Sequence, residues 1–239
     1  MLGRQRGWRR IIEHRVAPQY FARRYFRSGL HFGAPLNGQT GRAAVIEAII
    51  HTCQILRIVE TGSYLGASTA WFAGLGLPVA TVEITPLFAH FCELRVRHSP
   101  NVRVVLGDSV SFLNALARQP ERHDATLFYL DAHWWKPLPL GEELRTVFTS
   151  FPNSVVVIDD FAVPDDAGYG FDDYGPGQRL DMDYVGQQGI GGPAAFFPAM
   201  RSEEETGARR GSVILARHAD MIIKLDSIAL LRRAPSEVA

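Results

Sequence analysis

Hydrophobic positions beyond residue 40 switch repeatedly between a helical spacing and short continuous runs. Residues 41–53 place apolar side chains on one helical face, and an apolar run at residues 55–59 follows and stops at Glu60. The same alternation continues to residue 158, which is typical of an α/β protein with a parallel sheet. Two further apolar runs lie near the end of the chain. We therefore predict seven strands, at residues 55–59, 78–84, 102–106, 125–130, 155–158, 211–217 and 228–232.

Two segments fall outside this alternation. Residues 1–40 are predicted to form a basic, helical N-terminal arm, and residues 41–239 the α/β domain. Within that domain, residues 164–210 are rich in Gly, Asp and Pro and also contain aromatic residues. Loops of that length are usually functional or disordered, and the aromatic content argues against full disorder. We predict a lid or insert there, with a disordered surface loop as the alternative.

The formal net charge of zero hides an uneven distribution. Residues 1–28 contain eight arginines against the single acid Glu13, a net charge of +7, so the remainder of the chain is acidic. A basic segment with interleaved aromatic residues is one feature of proteins that bind nucleic acid or an anionic membrane. Packing of the arm on its own acidic body, or on a second subunit in a homodimer, explains the charge as well. We prefer packing and expect no nucleic-acid partner.

Composition removes several classes of protein. No run of 18 apolar residues is present, and the arginine-rich N-terminus lacks the apolar stretch of a secretory signal, so we expect no membrane span and a soluble, cytoplasmic protein. Cys53 and Cys92 are too few for a disulfide scaffold or a zinc cluster. We expect both to be buried as small hydrophobic residues.

Acidic residues follow all of the first five predicted strands. In a parallel sheet, ligands bind beyond the carboxyl ends of the strands. Any one acid at such a position is an ordinary solvated turn residue, but five strand ends in succession favour a common site. The residues are Glu60, Glu83, Asp108, Asp131 and the pair Asp159–Asp160.

The turn after the first strand contains Gly62 and Gly66 and opens onto a helix, so backbone can approach a ligand closely there. It is not a P-loop, and residues 58–94 contain no Lys or Arg, so a triphosphate would be held poorly. Glu83 lies 17 residues after Gly66, near the spacing at which a carboxylate accepts hydrogen bonds from ribose hydroxyls. A ribose-bearing ligand without phosphates fits best.

Five stretches in this order resemble class I S-adenosylmethionine-dependent methyltransferases, especially the metal-dependent small-molecule O-methyltransferases. They are ETGSYLGAST at residues 60–69, Glu83, Gly107–Asp108, LDAHW at residues 130–134 and VIDDF at residues 157–161. The resemblance covers residues 41–161 and implies an α/β, doubly wound, mostly parallel seven-stranded sheet of the Rossmann-like methyltransferase type. It also implies that S-adenosylmethionine is bound by Glu60, Gly62, Ser63, Gly66, Ser68, Glu83, Ile84, Gly107, Asp108, Ser109 and Asp131.

Within this resemblance, Glu60 would lie near the methionine end of the cofactor and Glu83 would hold its ribose. Asp108 and Ser109 would lie beside the adenine. An acidic, phosphate-free cleft also suits a cationic sulfonium that bears a free ammonium group.

The resemblance further implies a divalent ion, Mg²⁺ or Mn²⁺, bound by Asp131, Asp159 and Asp160. Carboxylate oxygens are the ligands that such hard cations prefer. The ion would orient a substrate's hydroxyl groups and lower the pKa of the one to be methylated.

A nearby base would take the proton of that hydroxyl. We assign this role to His133, beside Asp131, with Lys136 as a further catalytic residue. The chain departs here from the family, in which the base tends to lie three positions after the aspartate, where this sequence has Trp134. The alternative for His133 is a structural role in orienting a carboxylate.

The predicted function is methyl transfer from S-adenosylmethionine to a hydroxyl of a small-molecule acceptor such as a sugar, a polyol or a phenol. One alternative keeps the fold and the cofactor but needs no metal. Another is a module that binds S-adenosylmethionine or a nucleoside without turnover.

Overall fold

The computed structural model describes residues 34–133 and 137–234. Most of the predicted arm and the proposed catalytic residue Lys136 lie outside the described residues. Among the residues that are described, none of the helices is both long and apolar enough to cross a membrane.

An eight-stranded sheet forms the centre of the protein, with the strand order β3-β2-β1-β4-β5-β7-β6-β8. Strands β3, β2, β1, β4 and β5 are parallel to their neighbours, and β7, β6 and β8 pair antiparallel at one end. The strands are β1 (Arg57–Thr61), β2 (Val79–Glu83), β3 (Val102–Leu106), β4 (Thr126–Leu130), β5 (Ser154–Asp159), β6 (Ala194–Pro198), β7 (Ser212–Ala216) and β8 (Leu231–Arg233).

The prediction of seven strands is wrong by one, because β6 was not recognised. It lies inside the segment 164–210 that was predicted to be a lid or insert, directly after Gly191, Gly192 and Pro193. Those residues are turn formers, and the strand that follows them ends in proline, so the local sequence favours a loop. The partners β7 and β8 on either side define it as a strand.

Helices cover both faces of the sheet, as the doubly wound prediction requires. One hydrophobic cluster joins α4, α5 and the segment 161–190 to one face, and a second joins α1, α2 and α7 to the other. Strands β4 and β5 are buried along their whole length, because both of their faces are covered. The α-helices are α1 (Thr40–Cys53), α2 (Ala67–Gly74), α3 (Pro86–Val96), α4 (Ser109–Leu116), α5 (Leu140–Ser150), α6 (Met182–Gly186) and α7 (Ala219–Asp226).

Parallel pairing places the predicted acidic residues at one edge of the sheet. The order of the parallel strands reverses between β1 and β4, which is where ligands bind in open α/β sheets. Glu60 and Glu83 lie on one side of this reversal, and Asp131 and the Asp159–Asp160 pair lie on the other.

The segment after β5 folds back over the carboxyl end of that strand. The backbone N–H of Asp172 donates to the carbonyl of Asp160, and that of Ala162 donates to Leu180. Tyr169 and Leu180 are buried in the same cluster as the core of the sheet. The segment is therefore continuous with the core of the domain.

Glu205 connects this segment to the start of α1. Its carboxylate accepts hydrogen bonds from the backbone N–H groups of Gly41 and Arg42, at 2.9 and 3.1 Å. The N-cap residue Gln39 provides no side-chain cap of its own. Glu205 therefore satisfies two N–H groups that a helix start leaves without partners.

Replacing Glu205 with Ala is expected to lower the free energy of unfolding by about 1–3 kcal/mol, because two buried N–H groups lose their acceptor. The neighbouring Glu204 is exposed and provides the control, since Glu204→Ala should change stability by less than about 0.5 kcal/mol. Urea unfolding measures both. Equal effects of the two substitutions would contradict this role of Glu205.

Candidate functional site

The turn between β1 and α2 is tightly packed. Gly62 and Gly66 both have positive φ, at 83° and 73°. A Cβ at Gly62 would collide with the carbonyl group of Asp131, and a Cβ at Gly66 would lie 2.9 Å from the Cα of Cys92. Both glycines are thus required for close packing of the turn against the end of β4 and against α3, in addition to their proposed place at the cofactor.

Glu60 lies beneath this turn. Its carboxylate is buried and accepts hydrogen bonds from the hydroxyls of Thr69 and Thr81, at 2.5 and 2.6 Å. Burial raises the pKa of Glu60 to about 7, and the two threonines oppose that rise. Glu60 therefore ties β1 to β2 and α2 from within the protein, so a role at the methionine end of a cofactor would act through the turn.

Glu83 is the last residue of β2 and is buried, at 6% exposed, against this turn. Its two oxygens accept hydrogen bonds from the backbone N–H groups of Tyr64 and Thr85, at 2.9 and 2.8 Å. Next to it, the side chains of Ile84 and Leu106 are 54% and 58% exposed. An acid beside two exposed apolar side chains offers acceptors for hydroxyls together with a surface for a flat ring.

The end of β3 leads into α4 through Gly107. The N-cap of α4 is Asp108, whose carboxylate accepts from the backbone N–H of Ser111 at 2.7 Å. That hydrogen bond is the main reason why the pKa of Asp108 lies below its usual value. Asp108 is exposed and Ser109, the first helical residue, is buried. Both lie at the same edge of the sheet as Glu83.

Two serines of the turn differ in their surroundings. Ser63 is buried, whereas Ser68 is half-buried and its hydroxyl accepts a hydrogen bond from the backbone N–H of Leu36 at 3.0 Å. Leu36 belongs to the short 3₁₀ helix Pro35–Gly38 that precedes α1. This segment therefore lies along the start of α2.

Asp131, His133 and Asp160 form a second cluster across the reversal from Glu83. Each offers one ligand atom, and these atoms lie within 4.8 Å of one another. His133 is fully buried, and among the described residues neither of its ring nitrogens has a hydrogen-bond partner. Burial lowers the pKa of His133 to about 4, so its imidazole is neutral at pH 7. A neutral imidazole with two carboxylates is a suitable ligand set for a divalent ion.

The carboxyl groups of this cluster have raised pKa values. Burial, and then the charges of Asp159 and Asp160, raise the pKa of Asp131 well above its usual range. Burial and Asp159 raise the pKa of Asp160 to about 7, against the opposing effect of Arg210. Asp160 also has a positive φ of 53°, which is uncommon for a residue other than glycine. Backbone of that kind is concentrated at functional sites.

Asp159, the third predicted metal ligand, has different partners. It forms a buried ion pair with Arg42 of α1 and accepts a hydrogen bond from the hydroxyl of Tyr129 at 2.5 Å. It is not part of the cluster of Asp131, His133 and Asp160. The backbone accounts for the difference, because Asp159 is the last residue of β5 and Asp160 lies beyond the strand with a positive φ. The structure therefore replaces Asp159 with His133 in the candidate ligand set.

Arg210 neutralises the exposed side of the cluster. Its Nε donates to Asp160 at 2.5 Å, and its Nη2 forms an ion pair with Asp172. Asp172 also accepts a hydrogen bond from the hydroxyl of Tyr174 at 2.5 Å. The Tyr174 ring lies 6.3 Å from the His133 ring, between centroids. Residues of the segment 164–210 thus form one wall of the site.

Several of these residues were missed by the sequence analysis. Arg42 and Arg210 are remote in sequence from the acids that they pair with, and no motif marks them. A buried acid either has a raised pKa or is paired with a basic residue, and the sequence does not say which of its 23 arginines form such pairs.

A cavity of about 560 Å³ opens on the segment 162–183. Phe171 lies on its wall, and the guanidinium of Arg179 stacks over that ring at 4.5 Å. Carboxylates contribute the remaining polar surface, from Asp165, Asp166, Asp181 and Asp183.

Comparison with solved structures assigns the fold. The Bacillus cereus O-methyltransferase, solved in complex with S-adenosylhomocysteine, is 14% identical, and the match covers 87% of this chain and 96% of that one with a TM-score of 0.56. The O-methyltransferase TomG from Streptomyces achromogenes, involved in tomaymycin synthesis and solved with S-adenosylmethionine, is 20% identical, covering 74% and 79% with a TM-score of 0.53. No protein-family model and no curated protein sequence matches the chain. The chain has the Rossmann-like fold of these methyltransferases, as the sequence motifs predicted.

Gly62→Ala is expected to destabilise the protein more than Gly76→Ala. The two glycines have φ values of 83° and 79°, but nothing lies within 4 Å of a Cβ at Gly76. Left-handed backbone costs an alanine about 1–2 kcal/mol at either position, and the collision with Asp131 adds about 1–3 kcal/mol at Gly62. Denaturant unfolding of both variants measures the difference. Equal losses would mean that the turn does not pack against β4 in this way.

Glu143 in the first turn of α5 is expected to make stability depend on pH. Burial raises its pKa to about 7, although the hydroxyls of Ser109 and Thr61 favour the charged form. Between the ordinary pKa of a glutamic acid and the raised one, the folded state holds a proton on Glu143 that the unfolded state has lost. The stabilisation from the protonated Glu143 side chain is therefore complete below pH 4.5 and is lost as pH rises through 7.

Relative to Glu143→Gln, the wild-type protein should therefore lose about 3 kcal/mol of unfolding free energy between pH 4.5 and 8. Urea unfolding at a series of pH values measures this. The exposed neighbour Glu142 provides the control, since Glu142→Gln should leave the pH profile unchanged. A Glu143→Gln profile parallel to wild type would contradict the expectation.

Proposed function

We propose that this protein is an S-adenosylmethionine-dependent methyltransferase that methylates a hydroxyl oxygen of a small molecule, assisted by a divalent ion at Asp131, His133 and Asp160. The observation that supports the proposal is that the side chains at the carboxyl ends of the parallel strands form two separate groups, which we call the two parts of the site. Glu83 and two exposed apolar side chains lie on one side of the strand reversal, and the Asp131 cluster lies on the other. The fold shared with O-methyltransferases agrees with this division.

The first part suits the donor. Glu83 has lone pairs beyond those used by Tyr64 and Thr85, and in the proposed complex these would accept hydrogen bonds from the ribose hydroxyls. Ile84 and Leu106 provide an apolar surface for a purine, next to the polar groups of Asp108 and Ser109. The absence of Lys and Arg from residues 58–94 disfavours a phosphate-bearing ligand and suits a cationic one.

The second part fits a divalent ion. Its buried histidine has two nitrogens without partners among the described residues, and both aspartates are within reach of it. Mn²⁺ accepts a ligand set of imidazole and carboxylates, and Mg²⁺ prefers the oxygens. Asp131 and Asp160 remain in the proposed set, and Asp159 serves instead to hold Arg42.

A bound donor would supply an activated methyl group, and an ion held by Asp131, His133 and Asp160 would lower the pKa of the hydroxyl that receives it. As the bond from the acceptor oxygen to the methyl carbon forms, the bond from that carbon to the donor sulfur would break, S-adenosylhomocysteine would leave, and the hydroxyl proton would pass to solvent. Asp131 lies between the two parts, since its backbone N–H donates to Thr61 of β1 and its carboxylate faces His133 at 3.7 Å. It is placed to orient both reactants. In the alternative without a metal, the neutral imidazole of His133 takes the proton.

The acceptor class we propose remains a sugar, polyol or phenol. Asp172, Tyr174 and Arg210 surround the cluster with hydrogen-bonding groups, which suits an acceptor with several hydroxyls. The cavity on the segment 162–183 also has aromatic and acidic walls.

Calorimetry with S-adenosylmethionine, NAD and ATP tests the donor. We expect measurable binding of S-adenosylmethionine only. Glu83→Gln should weaken it at least about tenfold, because one acceptor for the ribose becomes a donor. Glu93→Gln, at an exposed position on α3, is the control and should bind as wild type does. Tighter binding of NAD or ATP would refute the proposed donor.

Asp160→Asn in the same assay separates the two parts of the site. This variant should keep the affinity for S-adenosylmethionine and lose that for Mn²⁺. If it loses the donor instead, Asp160 belongs to the donor site and the proposed division is wrong.

A further inference from the structure

The two acids at the end of β5 have arginine partners that differ in accessibility. Arg42 reaches Asp159 from α1, and their side chains are 2% and 1% exposed. Arg210 reaches Asp160 from the loop before β7, and its side chain is 23% exposed. Asp159 is therefore permanently neutralised within the core, whereas the partner of Asp160 lies at the mouth of the site.

Arg210 has a second acid to hold it. Its Nη2 pairs with Asp172, which is fixed in turn by the hydroxyl of Tyr174 and by a backbone hydrogen bond from its own N–H to Asp160. The guanidinium can thus leave Asp160 and keep a charged partner. Arg42 has no such choice among the described residues, because its other acceptors are the hydroxyl of Tyr129 and the backbone carbonyls of Arg210 and Gly211.

Asp160 is the acid to which both the divalent ion and the guanidinium of Arg210 would bind. Its carboxylate belongs to the cluster with Asp131 and the buried His133, whose ring nitrogens have no hydrogen-bond partner within the described part of the chain. The same carboxylate accepts from Arg210 Nε at 2.5 Å. A divalent ion at the cluster would lie within a few ångströms of the guanidinium. At that distance two positive charges repel strongly in a partly buried site.

We propose that Arg210 is the exchangeable counter-ion of the metal site. It neutralises Asp160 while the cluster holds no ion, and it withdraws onto Asp172 when a divalent ion binds. Arg210 and Asp172 both lie in the segment 164–210, which forms one wall of the site. Binding of an ion at the cluster therefore changes the ion pairs that hold this wall in place. The inference rests on the metal site of the proposed function.

Calorimetry of Mn²⁺ binding to the full-length, metal-stripped protein tests the exchange. Arg210→Gln should bind Mn²⁺ at least about tenfold more tightly than wild type, because the competing charge is gone. Arg210→Lys, which keeps a charge, should bind within about threefold of wild type. Arg179→Gln is the matched control, since Arg179 pairs with Asp181 in the same segment outside the cluster, and its affinity should not change.

A second measurement follows the guanidinium itself. The ¹H–¹⁵N resonance of Arg210 Nε, assigned by its loss in Arg210→Lys, should shift and exchange faster with water when Mg²⁺ saturates the wild-type protein. A signal that is unchanged at saturation would show that Arg210 stays on Asp160 and would overturn the inference. This measurement decides the question also if Arg210→Gln does not fold.

The outcomes separate this inference from the proposed function. Equal or weaker Mn²⁺ binding by folded Arg210→Gln, with normal binding by wild type, overturns the exchange and leaves the metal site intact. Absence of Mn²⁺ binding from both proteins overturns the exchange and the metal assistance together, while S-adenosylmethionine binding would still support the methyltransferase.

Discussion

The buried ion pair between Arg42 and Asp159 is the interaction on which the site depends. It joins α1 to the end of β5, and the same guanidinium donates to the carbonyls of Arg210 and Gly211 at the start of β7. Tyr129 of β4 donates to Asp159 from the other side. Loss of one partner from a buried pair costs about 3–5 kcal/mol, because a charge is left in the core. This one contact therefore fixes the positions of β4, β5 and the loop that bears Arg210.

The acidic residues at the carboxyl ends of the parallel strands repel one another, and each of them is stabilised by different neighbouring groups. Glu60 is buried with a raised pKa and two hydroxyl partners. Asp159 has a buried arginine, and Asp160 has a half-buried one. Asp131 and His133 have no such partner among the described residues, which leaves this part of the edge to a ligand. The acids in this row thus differ in their counter-charges, and those of the proposed metal site are distinguished from those that hold the fold together.

The segment after β5 belongs to both the core and the site. It contributes Tyr169 and Leu180 to the hydrophobic core and β6 to the sheet, and it also places Asp172 and Tyr174 beside His133. A wall that is built from core residues can hold its polar groups in a fixed geometry, which an isolated surface loop cannot do. Arg210 attaches this wall to the cluster through its ion pairs with Asp160 and Asp172.

The sequence by itself determined the alternation of helices and strands, the parallel part of the sheet and the row of acids at its edge, because these depend on local periodicity and on residues next to each strand. It did not reveal β6, whose short run is recognisable only beside β7 and β8. It also could not distinguish Asp159 from Asp160, which are neighbours in the chain with the same chemistry. Only the tertiary structure distinguished the two acids, because their arginine partners come from different parts of the chain. Arg42 lies in α1 and Arg210 in the loop before β7, more than a hundred residues later. Ion pairs that form only on folding leave no pattern in the sequence.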